Sequence, residues 1–418
     1  MPLSPRTPGA APFALTLAIA AVLASPAGVA SAPTPPTQVW IDAATHNNIN
    51  EPKLGGMGRF AQGLMERNKS TVRFPTTEHP GGTGLYLDVA AYSRNKPGAQ
   101  AEDDIPAALG LGGTLVLMPP SPVTPSHGST SVTHPPDVEF TVREYWGCGM
   151  AIGAGQPRVS TFRIKGGVAT ESGGGVVPGQ FAPEGDVQPT PSHVLWPNDL
   201  QSTRVPEGAS LAGAHRFRGE GIPASLRFDL DRNADFMPKI ELTRQGGDGA
   251  PLQLDWQSVD RAKAYFLQAA QMTVPVRQGM NKFDVVVWSS AQAGGAGATL
   301  IDYLGPSQID RWLKQKLLLP ASTTTCTVPQ GIFDAEDGPG NMAVLNMVAY
   351  GPETHLAYPP RPTDAKKLAA WKPEWSVRVR TKSTASLILG MDADESTQGD
   401  RKDGRARRML RGLFGRDK

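Results

Sequence analysis

The chain has 418 residues, enough for two or three domains with sizeable cores. Its 46 Gly and 39 Pro make up about a fifth of the residues, a composition that favours short strands with many connections over long helices. The formal charge of +2 conceals a mildly acidic body followed by a basic tail, which excludes a nucleic-acid-binding domain with positive charge spread over a folded face.

The chain opens with a short uncharged apolar run, Pro12 to Ala24, followed by small residues from Gly28 to Ala32. This pattern predicts a secretory signal peptide over residues 1–32; a buried apolar helix is the alternative. Arg6 and the amino terminus supply the positive n-region, and cleavage after Ala30 avoids placing Pro33 beside the scissile bond. No cysteine lies near the exit, so a lipid anchor is not expected. No later run approaches the ~18 apolar residues of a membrane-spanning helix. Export places the mature protein in the periplasm or in association with the outer membrane.

Residues 33–165 are expected to form an N-terminal β domain. Leu85 to Ala91 and Thr114 to Met118 read as buried strands, while Val138 to Trp146 and Arg158 to Ile164 alternate apolar and polar residues with period two. Residues 166–198, rich in Gly, Val, Pro and Ser, are expected to be a linker. Residues 199–399 form the second predicted β domain, with strands at Leu226 to Leu230, Phe283 to Trp288, Ala343 to Tyr350 and Trp375 to Arg380. One amphipathic helix is predicted after Gly305-Pro306, capped by Ser307 with Asp310, burying Ile309, Trp312, Leu313 and Leu317, and stopped by Pro320. The fold class is mainly β: two β-sandwich-like domains with long loops and one short helix.

Only two cysteines occur, Cys148 and Cys326. In an oxidising compartment they are a candidate disulfide; buried free thiols and, less favoured, a reactive thiol are the alternatives. Asp229, Asp231, Asn233 and Asp235 begin like a calcium loop, but Ala234 replaces the turn glycine and Ile240 stands where a bidentate Glu is needed, so a strand with outward acids is favoured. Gly208-Ala209-Ser210-Leu211-Ala212 approaches a nucleophile elbow without its final glycine, and His215 follows without the required helix. The seven histidines show no local zinc spacing. No catalytic, cofactor or metal residue is therefore assigned.

The last segment, 400–418, carries eight basic groups against three acids. Arg405, Arg407, Arg408 and Arg411 surround an apolar stripe that includes Leu413 and Phe414, so a helix here would lie on an anionic membrane surface; a solvated terminus is the alternative.

Two resemblances accompany these readings. Leu252 to Trp256, Val259 and Ala264 to Leu267, continuing through Trp288, resemble consecutive strands of a fibronectin type III-like sandwich, in which a Trp and a Tyr pack across the core. The motifs Tyr145-Trp146-Gly147-Cys148-Gly149, Trp196-Pro197-Asn198 and Trp371-Lys372-Pro373-Glu374-Trp375 resemble an exported proteobacterial family, which implies a compartment and no activity. The expected function is a non-catalytic cell-envelope protein with a binding or structural role, its envelope partner unspecified. The alternative is an envelope hydrolase of glycan or peptide with a site assembled from distant loops.

Overall fold

The computed structural model describes residues 35–50, 73–78, 82–121, 137–166, 168–173, 182, 185–247, 249–273, 282–295, 300–333 and 343–389. The predicted signal peptide (1–32) and basic tail (400–418) lie outside the described residues. Among those described, no helix is long and apolar enough to cross a membrane.

The fold is mainly β, with one helix of seven or more residues among the described residues. The first strands are β1 (Thr37–Asn48), β2 (Gly84–Tyr92), β3 (Ala101–Asp104), β4 (Thr114–Leu117), β5 (Val138–Trp146), β6 (Arg158–Lys165) and β7 (Val168–Gly173). Next come β8 (His193–Trp196), β9 (Gly213–Gly219), β10 (Arg227–Leu230), β11 (Leu242–Gly246), β12 (Leu252–Trp256), β13 (Ala264–Thr273) and β14 (Lys282–Ser289). Helix α1 (Pro306–Lys314) precedes β15 (Leu319–Pro320), β16 (Thr325–Val328) and β17 (Ala343–Tyr358); α2 (Ala365–Ala370) and β18 (Trp375–Ile388) complete the order.

Eleven strands join one sheet in the order β7-β6-β5-β14-β13-β17-β18-β1-β2-β8, with β15 also pairing β13. Two small sheets, β10-β9-β3-β4 and β11-β12-β16, pack on it. Along β18, Trp375, Val377 and Val379 enter the core beneath the four-stranded sheet, while Ala385 and Leu387 enter the core beneath the three-stranded one. One face of the large sheet is thus covered by both. Behind β13 and β17, Phe266, Val348 and Tyr350 pack instead against Ile309 and Trp312 of α1.

This topology corrects the two-domain expectation. Strand β1, from the predicted N-terminal domain, pairs in parallel with β18 over its whole length, and β5 pairs in parallel with β14. The predicted linker 166–198 contains β7 and β8, both members of the large sheet. The described residues therefore belong to one compact unit, which begins at Pro35. Gly and Pro density marked turns within an interleaved body, because strand pairing depends on partners hundreds of residues away.

The helix also differs in its ends. Gly305 is the N-cap with Pro306 in the first turn, and Ser307 donates to Gln308 Oε1 instead of capping. The helix stops at Lys314, after which Lys316 adopts φ 57°, and Pro320 belongs to β15.

Strand β17 carries a bulge. Tyr350 lies opposite Lys382, whereas Glu353 lies opposite Arg380, so Gly351-Pro352 inserts one residue and reverses which face the later residues occupy. A side chain at Gly351 would run into Thr381 and Met237. Beyond the bulge Glu353 and His355 stand beside Arg380 and Arg378.

Candidate functional site

Where the four-stranded sheet covers one face of β1, β2 and β18, the opposite face carries charge. Register places Asp88, Asp42, Arg380 and Glu353 in one row across β2, β1, β18 and β17. The neighbouring row holds Ala90, Trp40, Arg378 and His355, and the next Tyr86, Ala44, Lys382 and Tyr350. Period-two alternation put these side chains on one face, but the face is not solvated. Arg380 is 5 % exposed, Lys382 2 % and Asp88 2 %.

Each buried charge in the two inner rows has been given a partner. Arg380 makes a bidentate pair with Asp42, Nε to Oδ1 at 2.7 Å and Nη2 to Oδ2 at 2.6 Å, and Nη2 also reaches Asp186 at 2.6 Å. Burial alone would depress the Arg380 pKa, but the hydrogen bonds and charge of Asp42, together with the hydrogen bond to Asp186, outweigh it and hold the guanidinium more firmly protonated than usual. Lys382 Nζ donates to Asp302 at 2.9 Å. Burial pushes Asp302 up, yet the adjacent Lys382 ammonium, the Tyr303 N–H and the Arg380 charge together leave its carboxyl below the ordinary value. Tyr303 lies against both cations, its ring centroid 4.4 Å from the Arg380 guanidinium and 4.1 Å from Lys382 Nζ.

Asp88 performs a different task. Its oxygens accept from the N–H and hydroxyl of Thr76 and of Thr77 at 2.7–2.9 Å, tying a loop to the sheet. Burial raises its pKa even against these donors.

The outer row is less complete. Arg378 comes within 3.9 Å of Asp42, and among the described residues its Nε and Nη2 have no hydrogen-bond partner. Burial and the neighbouring Arg380 both lower its pKa. Around it are Trp40, with its ring 5.7 Å from His193; Tyr92, 6.0 Å from the same imidazole; and the Glu353–His355 pair at 2.6 Å.

A second buried pair sits in the four-stranded sheet. His215 Nδ1 meets Asp103 Oδ2 at 3.0 Å and Nε2 meets the Leu211 carbonyl at 3.0 Å, with Phe228 stacked on the ring. Two acceptors require two N–H donors, so the geometry suits the imidazolium. Burial opposes that charge, but Asp103 outweighs it and raises the His215 pKa.

The sequence candidates fall into place around these clusters. Cys148 and Cys326 are joined in a disulfide, which fastens the turn after β5 to β16. Ser210 donates to Asp235 at 2.6 Å, while His215 Nε2 faces Leu211, so these residues form no nucleophile–base pair. Asp231 accepts from the nearby Asn233 N–H and Asp235 from the distant Leu211 N–H, so these two acids are engaged by backbone donors. No group of metal-ligating side chains is found among the described residues. Arg405, Arg407, Arg408, Arg411, Leu413 and Phe414 lie outside the described residues.

The distinctive motifs have structural work. Trp288 Nε1 donates to Gly147 O, Asn198 Nδ2 to Val116 O and Leu195 O, and Trp375 Nε1 to Ser225 Oγ. The expected Trp–Tyr contact is present: Trp256 and Tyr265 meet edge to face at 5.7 Å, but across the interface of the large and three-stranded sheets. An open hollow of about 270 Å³ lies elsewhere, beside Gln100, Glu102, Arg218 and Gly219. There Arg218 is already bound to Asp104 and Glu102.

Sequence reasoning missed the charged face. Asp42, Asp186, Asp302 and Arg380 come from four distant segments, and the alternating Arg378, Arg380 and Lys382 were the one local signal. No protein-family model, curated protein or solved structure matches the chain.

Proposed function

We propose that this chain is an exported, non-catalytic protein of the cell envelope with a binding role. The observation that carries the proposal is the mutual engagement of its reactive groups. The convergent carboxylates at Asp42, Asp186 and Asp302 are committed to Arg380 and Lys382, His215 has both nitrogens occupied, and Cys148 is oxidised. A general base needs a lone pair within reach of substrate, whereas the ion pairs to Arg380 and Lys382 turn these carboxylates toward the fold. Export is supported by the apolar N-terminal run and by a disulfide that an oxidising compartment would keep formed.

Purified mature protein incubated with native cell-envelope fragments tests this reading. Co-sedimentation without release of soluble glycan or peptide is expected. Release of fragments would overturn the non-catalytic role, and failure to co-sediment would overturn the binding role. Fractionation of the native host should recover the chain outside the cytoplasm with residues 1–30 removed; cytoplasmic recovery with those residues retained would refute export.

A further inference from the structure

We propose that the outer row of the charged face, built on Trp40 and Arg378, binds a saccharide bearing one carboxylate or phosphate. This deepens, and rests on, the binding role above.

The cations of this face are unevenly paired. Arg380 has Asp42 and Asp186, and Lys382 has Asp302, all at 2.6–2.9 Å. Arg378 stands on the same face one row away, with Asp42 3.9 Å distant and already engaged by Arg380. A shielded guanidinium edge with no acceptor among the described residues is costly, and an entering anion would supply one. Arginine presents a planar pair of donors suited to the two oxygens of a carboxylate or phosphate.

The surroundings favour a ring attached to that anion. Trp40 is the register partner of Arg378, and both side chains belong to the same face. Trp40, Tyr92 and His193 are half-buried and form an aromatic group beside the cation. An aromatic surface packs against the apolar face of a sugar ring while leaving its hydroxyls free. The opposite flank is polar: the His355 side chain is 66 % exposed and paired with Glu353, which places hydrogen-bonding groups at the rim. The Arg378 side chain is 18 % exposed while its Nε and Nη2 are shielded, so a ligand reaches the row from solvent and meets that edge only once the guanidinium turns. Because no hydrogen bond fixes its Nε–Nη2 edge, that edge can turn toward a ligand without breaking one.

Calorimetric titration of the full chain with glucuronate, glucose 6-phosphate and glucose tests the site. At least one anionic sugar should saturate with Kd of about 1 mM or tighter, and glucose should bind about tenfold more weakly or less. Binding of glucuronate alone selects the carboxylate; binding of glucose 6-phosphate alone selects the phosphate. Arg378→Gln should reduce the anionic sugar to the level of glucose, and Trp40→Ala should weaken it. The proposal is overturned if neither anion saturates by about 10 mM, if glucose binds equally, or if Arg378→Gln changes nothing. Should either variant fail to fold, competition on the unmodified protein decides: acetate or inorganic phosphate should displace the bound sugar, and failure of both to do so overturns the site. Envelope co-sedimentation with no response to these sugars would remove this site alone and leave the broader binding role standing.

Discussion

Removing the guanidinium of Arg380 should destabilise the protein far more than an ordinary surface substitution. Arg380 is 5 % exposed and holds two carboxylates, Asp42 through two hydrogen bonds and Asp186 through a third. Arg380→Ala leaves Asp42 buried without its main counter-charge and leaves Asp186 beside Asp302, whose charge already raises the Asp186 pKa together with burial. Breaking one side of a buried ion pair costs about 3–5 kcal/mol, because the surviving charge remains desolvated. At about 2.1 cal/mol/K of unfolding entropy per residue, a body of roughly 350 residues should melt about 4–7 °C lower. Urea denaturation of the wild type, Arg380→Ala, Asp42→Ala and the double variant measures the coupling. The double variant should cost less than the sum of the singles by about 1.5 kcal/mol or more. Additive losses, or an Arg380→Ala cost under about 1 kcal/mol, would refute the idea that this pair holds the sheet face together.

Three further outcomes are expected. His215, raised above its usual value of 6.5 by Asp103, contributes stability that is complete below that value and lost as pH rises through its folded-state pKa. The urea midpoint should therefore fall between about pH 6 and pH 9 by more in the wild type than in His215→Gln; equal slopes would remove the imidazolium assignment. Replacing both Cys148 and Cys326 by Ser releases a loop of 178 residues and should cost up to about 5 kcal/mol. An unchanged unfolding free energy would show that the three-stranded sheet stays docked by apolar packing alone. Asp88→Ala deprives Thr76 and Thr77 of their acceptor and should speed tryptic cleavage after Arg73, whose side chain is 66 % exposed; an unaltered cleavage rate would count against the clamp.

Local elements were legible because their determinants are local. The predicted strands at Leu85 to Ala91, Val138 to Trp146, Arg158 to Ile164 and Ala343 to Tyr350 all occur, since alternation and flanking Gly or Pro specify a strand without reference to its partner. Strand β1 escaped notice because Thr37–Asn48 mixes Ala, Thr and Asn with its apolar residues, and its burial is conferred by β18 and β2 on either side. Domain organisation failed for the same reason. Asp42 and Arg380 are separated by 338 positions, and no composition window reports a contact of that span.

The charged face shows where period-two reasoning stops. In Trp375-Ser376-Val377-Arg378-Val379-Arg380-Thr381-Lys382 the alternation correctly assigns the valines to one side and the cations to the other. It says nothing about whether the polar side meets water or protein. Three cations at successive positions of one face repel each other, and burial would make that intolerable unless acids arrive from elsewhere. They do arrive: Asp42 by parallel pairing, Asp186 from the stretch expected to be a linker, and Asp302 from the segment before α1. The supply then runs short at Arg378, whose nearest acid serves Arg380. A chain selected only for a rigid sheet could replace Arg378 by an apolar residue and gain from losing a poorly paired buried charge. Its presence beside an aromatic cluster at the open end of the row is better explained by a ligand's anion than by the stability of the sheet.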